Sequence, residues 1–319
     1  MPGPILVTGA AGFAGSHLID QLLADEDAVV VAWDRAAGHA PARQRPDGRD
    51  AQTLTIDLRD RDAVDRALAD LRPSIIFHCA GAAQVASAWR ETTSALEINV
   101  LGTHCLIEAV RRARLDARVL VTGSALVYRA SAAPLTEDSP IGPSNPYGVS
   151  KLMQELVALD AAREGLPVVL VRPFNHIGPR QQPSFAASSF ARQIALAEAG
   201  LLAPVLKVGN LDARRDLSDV RDTVRAYRLL ARDGRPGRPY NVCSGHAASM
   251  GEILDRLRSL ARVPVGIEVD PELLRPSDNP IIVGDARRLR DETGWQPAIP
   301  LDETLRDLLD YWRASVAAE

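Results

Sequence analysis

Cysteine is scarce in this chain: Cys79, Cys105 and Cys243 lie far apart in 319 residues and form no CxxC pair. An odd, scattered set argues against a disulfide framework and against a structural zinc site. Cys79 falls in an apolar run and Cys105 in a helical stretch, so both read as small buried hydrophobes. The six histidines are equally dispersed, with neither HxH nor HExxH spacing, and no metal is expected. Long apolar runs are missing too. The run that follows Met1-Pro2-Gly3, Pro4 to Thr8, is too short for a signal sequence, and no other stretch approaches a membrane span. A soluble, cytoplasmic protein is the expectation. Charge of one sign is also lacking: the net charge is −4 and acids and bases are interspersed. Without a basic block or stripe, nucleic acid has little support as a partner.

What is present is ordinary globular material, 46% apolar and 24% charged. Short apolar runs alternate with amphipathic stretches. Strands are predicted at Ile5–Val7, Val29–Trp33, Thr53–Ile56, Ser74–Phe77, Arg118–Val121 and Val168–Val171, with helices to about Leu23, at Asp62–Leu71 and around Ala95–Arg112. Nearly continuous apolar strands alternating with helices indicate a parallel sheet covered on both faces, a doubly wound α/β fold. After Pro173 the strands shorten (Val205–Val208, Tyr240–Val242), and helices are predicted at Ser249–Leu260 and Leu301–Trp312. This reads as a nucleotide-binding domain over 1–175 and a smaller α/β substrate domain over 176–319, with some later segments returning to the first. The polar, basic stretch Ala36–Asp50 reads as a surface loop.

The run Gly9-Ala10-Ala11-Gly12-Phe13-Ala14-Gly15 joins the first strand to the first helix. Gly9 permits the tight turn, Gly12 lets a pyrophosphate approach the backbone, and Gly15 lets the helix pack closely on the sheet. The helix N-terminus then offers free N–H groups and the positive end of its dipole. The spacing is GxxGxxG and no Gly-Lys-Ser/Thr follows, which disfavours a triphosphate P-loop. Asp34 ends the second strand about twenty residues on, where an acid accepts from the adenosine ribose hydroxyls and favours NAD. Arg35 beside it could accommodate a 2′-phosphate, so NADP stays open. Asp57 could accept from the adenine amino group.

Asn145-Pro146-Tyr147-Gly148-Val149-Ser150-Lys151 opens a helix, and Tyr147 and Lys151, four apart, share one face. A lysine ammonium beside a phenol is expected to lower the tyrosine pKa, which suits proton exchange with a carbinol or carbonyl oxygen. Ser124 ends a strand, the place where α/β sites collect, and could hold the same oxygen. Tyr147, Lys151 and Ser124 are the expected catalytic residues.

The whole chain resembles the extended short-chain dehydrogenase/reductase family of nucleotide-sugar epimerases, dehydratases and reductases. The residues that carry the likeness are Thr8 to Gly15, Asp57-Leu58, His78-Cys79-Ala80-Gly81-Ala82, Asn99-Val100-Leu101-Gly102-Thr103 and Tyr147 to Lys151. The resemblance implies an NAD(P) site drawn from Phe13, Ala14, Leu58, Ala80, Gly81 and Ala82 besides the residues above. It implies that Asn99 supports the strand and helix holding the site, that Lys151 also binds the nicotinamide ribose, and that Pro173 flanks the nicotinamide amide. Asn175 and Arg215 match the family's contacts to the substrate diphosphate, and Arg275 a second arginine. Ala125 and Val208 complete the implied substrate pocket.

Arg172 to Gln181 and Val208 to Asp216 resemble the GDP-mannose branch, which holds the 4,6-dehydratases and the GDP-4-keto-6-deoxy-D-mannose reductases. Such dehydratases carry Asp or Glu one or two residues after the position of Ser124, to eliminate water across C5–C6. Here Ala125 and Leu126 stand there and cannot transfer protons. Reduction of GDP-4-keto-6-deoxy-D-mannose to GDP-D-rhamnose is therefore the expected activity, with an NAD-dependent 4-epimerase of a GDP- or UDP-sugar as the alternative. A dehydratase or a cofactor-sensing protein ranks lower. His176 reads as structural before it reads as an extra acid. A homodimer is implied through the helices near Ala95–Arg112 and Pro146–Arg163. Leu101, Leu106, Val110, Leu152, Leu156 and Leu159 fit that pairing or sheet packing equally well.

Overall fold

The structure is a computed structural model and describes residues 3–25, 28–35, 50–82, 89, 91–274 and 279–318. Most of Ala36–Asp50 and all of Arg275 lie outside the described residues. Six short strands begin the chain, all but the exposed edge strand β3 largely buried: β1 (Ile5–Thr8), β2 (Val30–Asp34), β3 (Gln52–Thr55), β4 (Ile75–His78), β5 (Arg118–Thr122) and β6 (Val168–Pro173). With β10 (Pro239–Val242) they form one seven-stranded sheet in the order β10-β6-β5-β4-β1-β2-β3, and every pairing in it is parallel. The doubly wound expectation is borne out. The chain reverses direction across the sheet between β1 and β4, and the crevice at such a switch point is where ligands bind.

Local sequence sets the helices that matter. Helix α1 (Phe13–Leu23) starts directly from the glycine turn. Helix α5 (Pro146–Arg163) is capped by Asn145, whose side chain accepts from the Gly148 N–H at 2.8 Å, with Pro146 in the first turn. Tyr147 is thereby fixed at the start of a helix beside the end of β5. The helix expected around Ala95–Arg112 has a different form. It is α3 (Thr92–Leu96), a π-helical turn (Glu97–Leu101) and α4 (Gly102–Arg112) in succession. The widened turn carries Asn99 inward, fully buried. Such π turns collect at functional sites.

Beyond β6 lies a second apolar core, with Phe190, Ile194, Leu254, Leu257, Leu305 and Leu309 at its centre. It packs under β7 (Asn175–Ile177), β9 (Arg214–Asp219), β11 (Ala247–Ser249) and β13 (Ile281–Ile282), with β8 (Val205–Val208) paired to β12 (Gly266–Val269). Helix α7 (Val220–Asp233) instead packs on α1, its Tyr227 and Leu230 joining the core of the large sheet.

Candidate active site

A cleft of about 1460 Å3 opens at the carboxyl ends of β1, β4, β5 and β6. The structure brings Gly9, Gly12, Phe13, Ala14, Gly15, Arg35, Gly81, Ala82, Ser124, Ala125, Tyr147, Lys151, Pro173, Asn175 and Arg215 to its walls. Asp34, Asp57, Leu58, Ala80, Asn99 and Val208 stand behind those walls or away from them.

On the β1 side, Gly9 has φ +66°, and a Cβ there would lie 2.7 Å from the Ala80 backbone. A Cβ on Gly15 would sit on the Gly9 carbonyl oxygen. Both positions therefore require glycine, one for conformation and one for helix–strand approach. Gly12 caps α1 without any side-chain cap, leaving the helix N-terminus to the cleft. Asp34 braces this turn from below: its two oxygens accept from the Ala11 N–H at 2.7 Å and the Arg35 N–H at 2.8 Å. Asp57 is engaged by Arg59 at 2.7 Å, and that bond holds its carboxyl below the usual range. Leu58 packs on Gly102. The cationic side chains lining the cleft are Arg35, Lys151, Arg180 and Arg215, and Glu272 is the only carboxylate among the described lining residues. A glycine cradle, an open helix N-terminus and this charge balance fit a nicotinamide dinucleotide and a second diphosphate.

Ser124 sits at the end of β5 and caps the following 3-10 turn, its Oγ accepting from the Leu126 N–H at 3.1 Å. The Tyr147 phenol is buried beside it. Burial pushes that phenol up to about 12, and a hydrogen bond from Ser124 opposes the rise. The expected lowering by Lys151 is not what acts here. The ammonium is engaged instead by the Thr122 carbonyl at 2.9 Å and Gln154 Oε1 at 2.8 Å. Burial in turn lowers Lys151 to about 8. Gly81 closes over this end: a Cβ there would lie 2.9 Å from Asn99 Oδ1 and 3.2 Å from Lys151 Nζ. Asn99 ties the pieces together, accepting from the Ala82 N–H and donating to Ser150 Oγ, each at 2.8 Å.

A family model described as GDP-mannose 4,6 dehydratase matches residues 6–308. The chain belongs to this family. It is 36% identical over 319 residues to GDP-6-deoxy-D-mannose reductase of Pseudomonas aeruginosa, covering 99% of each chain. It is 33% identical to UDP-glucose 4-epimerase of Mycolicibacterium smegmatis, over 97% of this chain and 98% of the relative. Among solved structures, RMD from Pseudomonas aeruginosa complexed with NADPH matches with TM-score 0.84 and 35% identity, over 98% of this chain and 100% of that one. The expected family, read from the glycine turn and the Tyr147-to-Lys151 run, is borne out.

Ala125 and Leu126 both face the cleft beside Ser124 and place an apolar wall there. Asn175 begins β7, and Arg215 in β9 donates to the Arg214 and Asn279 carbonyls at 2.8 and 3.0 Å. Val208 is fully buried in the second core. His176 lies flat on Phe13, ring centroids 5.6 Å apart. Its Nδ1 bonds the Phe174 carbonyl at 3.1 Å, and burial lowers its pKa, so it is a neutral wall of the cleft. Sequence reasoning gave no individual role to Gln154, Thr103, Arg180 or Tyr227. Gln154 carried one signal, its position one turn after Lys151 on the same helical face. Arg180 has φ +73°, rare for a side-chain-bearing residue, and pairs with Asp20 at 2.8 Å.

Proposed function

We propose that this chain reduces the 4-keto group of a GDP-4-keto-6-deoxy-hexose, converting GDP-4-keto-6-deoxy-D-mannose to GDP-D-rhamnose with NADH or NADPH. The observation that carries the reading is the wall around Tyr147: Ser124 and Lys151 converge on the cleft, and Ala125 and Leu126 stand where elimination needs a carboxylate. The likeness to GDP-6-deoxy-D-mannose reductase over 99% of each chain supports it. The glycine turn and the α1 N-terminus would hold the cofactor pyrophosphate, Gly81 and Lys151 its nicotinamide ribose, and Pro173 its amide. Asp34 near the adenosine side suits NAD, while Arg35 on the cleft wall suits a 2′-phosphate. When bound, the reduced nicotinamide supplies the hydride.

The residues of the chain do the rest. Arg215 and Asn175 anchor the diphosphate, where the guanidinium fork suits phosphate oxygens. Ser124 donates to the ketone oxygen and orients it. Tyr147 gives that oxygen its proton; because burial holds the phenol up at about 12, it keeps the proton across the neutral range. Lys151, cationic below about 8 and held by Thr122 and Gln154, turns its remaining N–H to the cleft at Gly81, where it would hold the nicotinamide ribose.

A second reading is favoured by the 33% identity to a UDP-glucose 4-epimerase: the same three residues would run hydride transfer in both directions on held NAD. One assay separates the two. GDP-4-keto-6-deoxymannose with NADH or NADPH should consume cofactor stoichiometrically. Turnover of a UDP-sugar with no added cofactor would replace the reductase by the epimerase. The reading includes a homodimer, supported by an exposed apolar stripe on α5, and a cytoplasmic location, which suits three cysteines that form no disulfide.

A further inference from the structure

Behind Lys151 lies a chain of buried polar side chains. Lys151 Nζ donates to Gln154 Oε1 at 2.8 Å, and Gln154 Nε2 donates to Thr103 Oγ1 at 2.8 Å. Gln154, Thr103 and His78 are fully buried. The Thr103 hydroxyl donates to the Asn99 carbonyl at 2.6 Å, so its oxygen is left to accept from both Gln154 and His78 Nε2, the latter at 2.7 Å. His78 therefore carries its proton on Nε2 and accepts at Nδ1 from the Thr8 hydroxyl at 2.8 Å. Burial lowers His78 to about 3 and keeps it neutral. Each donor has one direction available to it. The amide of Gln154 also neither takes nor gives a proton in the working range. The chain is thus a rigid orienter and not a proton wire.

We propose that Gln154 is a positioning residue of the active site, whose side-chain carbonyl aims the Lys151 ammonium at the cleft and sustains its charge. The proposal rests on the reading of Lys151 as a working member of that site. An ammonium has three donors: Thr122 takes one, Gln154 the second, and the third is left for the cleft at Gly81. The amide orientation is dictated by its neighbours, since Lys151 only donates and Thr103 Oγ1 must accept. Without that carbonyl the buried ammonium would lose an acceptor and favour its neutral form. The titratable groups around Lys151 are His78 and Cys79 at the end of β4, Tyr147 one turn back, and Glu155 one turn on, the last taken up by Arg172. From the π turn and α4 come Asn99 and Thr103, and from β5 the Thr122 carbonyl.

Two near-isosteric variants test this in opposite directions. Cyanate carbamylates only the neutral amine, so the rate of modification of the Lys151 peptide across a pH series, read by mass spectrometry on the whole protein, reports the titration of that lysine. Gln154→Met should move the midpoint down by about one pH unit, a tenfold loss of proton affinity, and Gln154→Glu should move it up by a similar amount. The alkaline limb of kcat/KM should follow in each. An unchanged midpoint in both variants, or a shift of the same sign, overturns the proposal. If Gln154→Met does not fold, Gln154→Glu decides alone: a rise supports the assignment and no shift ends it. Cyanate needs neither sugar nor cofactor, so failure to turn over a GDP-keto-sugar would remove the functional reading without touching this one.

Discussion

At the scale of single residues, Tyr147 is the group on which the proposed chemistry depends most. Its hydroxyl is the acid that a ketone oxygen would meet, and burial leaves water little chance to substitute for it. Tyr147→Phe keeps the ring that packs with Ala95 and Leu126 and removes only the hydroxyl. Activity should fall by about 10²–10⁴-fold, the usual share of a positioned general acid. NADPH binding measured by calorimetry should survive, since the glycine turn and Lys151 are intact. A variant that retains most of its turnover would mean the proton comes from elsewhere. Ser124, Tyr147 and Lys151 were legible in the sequence because their spacing is local: four residues along one helix, and a strand end before it. The support behind them was not. Gln154 reaches Thr103 across 51 positions, Thr103 reaches His78 across 25, and His78 reaches Thr8 across 70. No window of sequence holds that chain, and only the sheet order makes its members neighbours.

At the scale of elements, the question is what keeps α5 in register with the sheet, since a slip of α5 would carry Tyr147 and Lys151 together. The answer lies one turn beyond Lys151. Glu155, 2% exposed, meets Arg172 of β6, 5% exposed, through a paired contact, Nε to Oε2 at 3.0 Å and Nη2 to Oε1. Arg172 goes on to the Tyr128 hydroxyl at 2.8 Å and the Glu137 carbonyl at 3.1 Å, and Tyr128 donates to Asn241 of β10 at 2.6 Å. Helix, β6 and the edge strand β10 beside it are thereby tied through one guanidinium. Removing one partner of a buried pair strands the other charge, so Arg172→Met should lower the unfolding free energy by about 3–5 kcal/mol in urea titrations. Adding Glu155→Leu should recover much of that loss, because the stranded carboxylate is gone. Recovery absent from the double variant would show that Arg172 acts through Tyr128 instead. The sequence marked Arg172 only as the first residue of a run resembling the GDP-mannose branch, since nothing local betrays a partner on another element. It also read one long helix where a π turn interrupts it. The apolar period on either side of Asn99 is helical, and one extra residue per turn leaves almost no trace in it.

At the scale of the whole molecule, the six apolar positions that fitted either a dimer or the sheet have been sorted. Leu106 and Val110 are fully buried against the large sheet, and Leu152 and Leu159 pack partly into cores. Leu101 and Leu156 remain outside, 45% and 52% exposed, and Val149 and Met153 join them at 42% each. Val149, Met153 and Leu156 fall at i, i+4 and i+7 on α5, one stripe along one face. The opposite face of the same helix carries Tyr147, Lys151 and Gln154 inward. A helix that spends its inner face on the site and leaves an apolar outer face to water is poorly placed for a monomer, and a second copy of α5 is its simplest cover. Leu156→Glu puts a charge in the middle of that stripe and touches nothing in the cleft. Light scattering behind size exclusion should therefore report a dimer for the native chain and a monomer for the variant, with the far-UV spectrum unchanged. If the native chain already elutes as a monomer, the stripe has some other use and the dimer falls. If the variant becomes monomeric yet keeps its kcat, each cleft works alone and the pairing serves stability. A matched fall in kcat would place α5 under strain from both of its faces, linking the partner's contact to the aim of Tyr147.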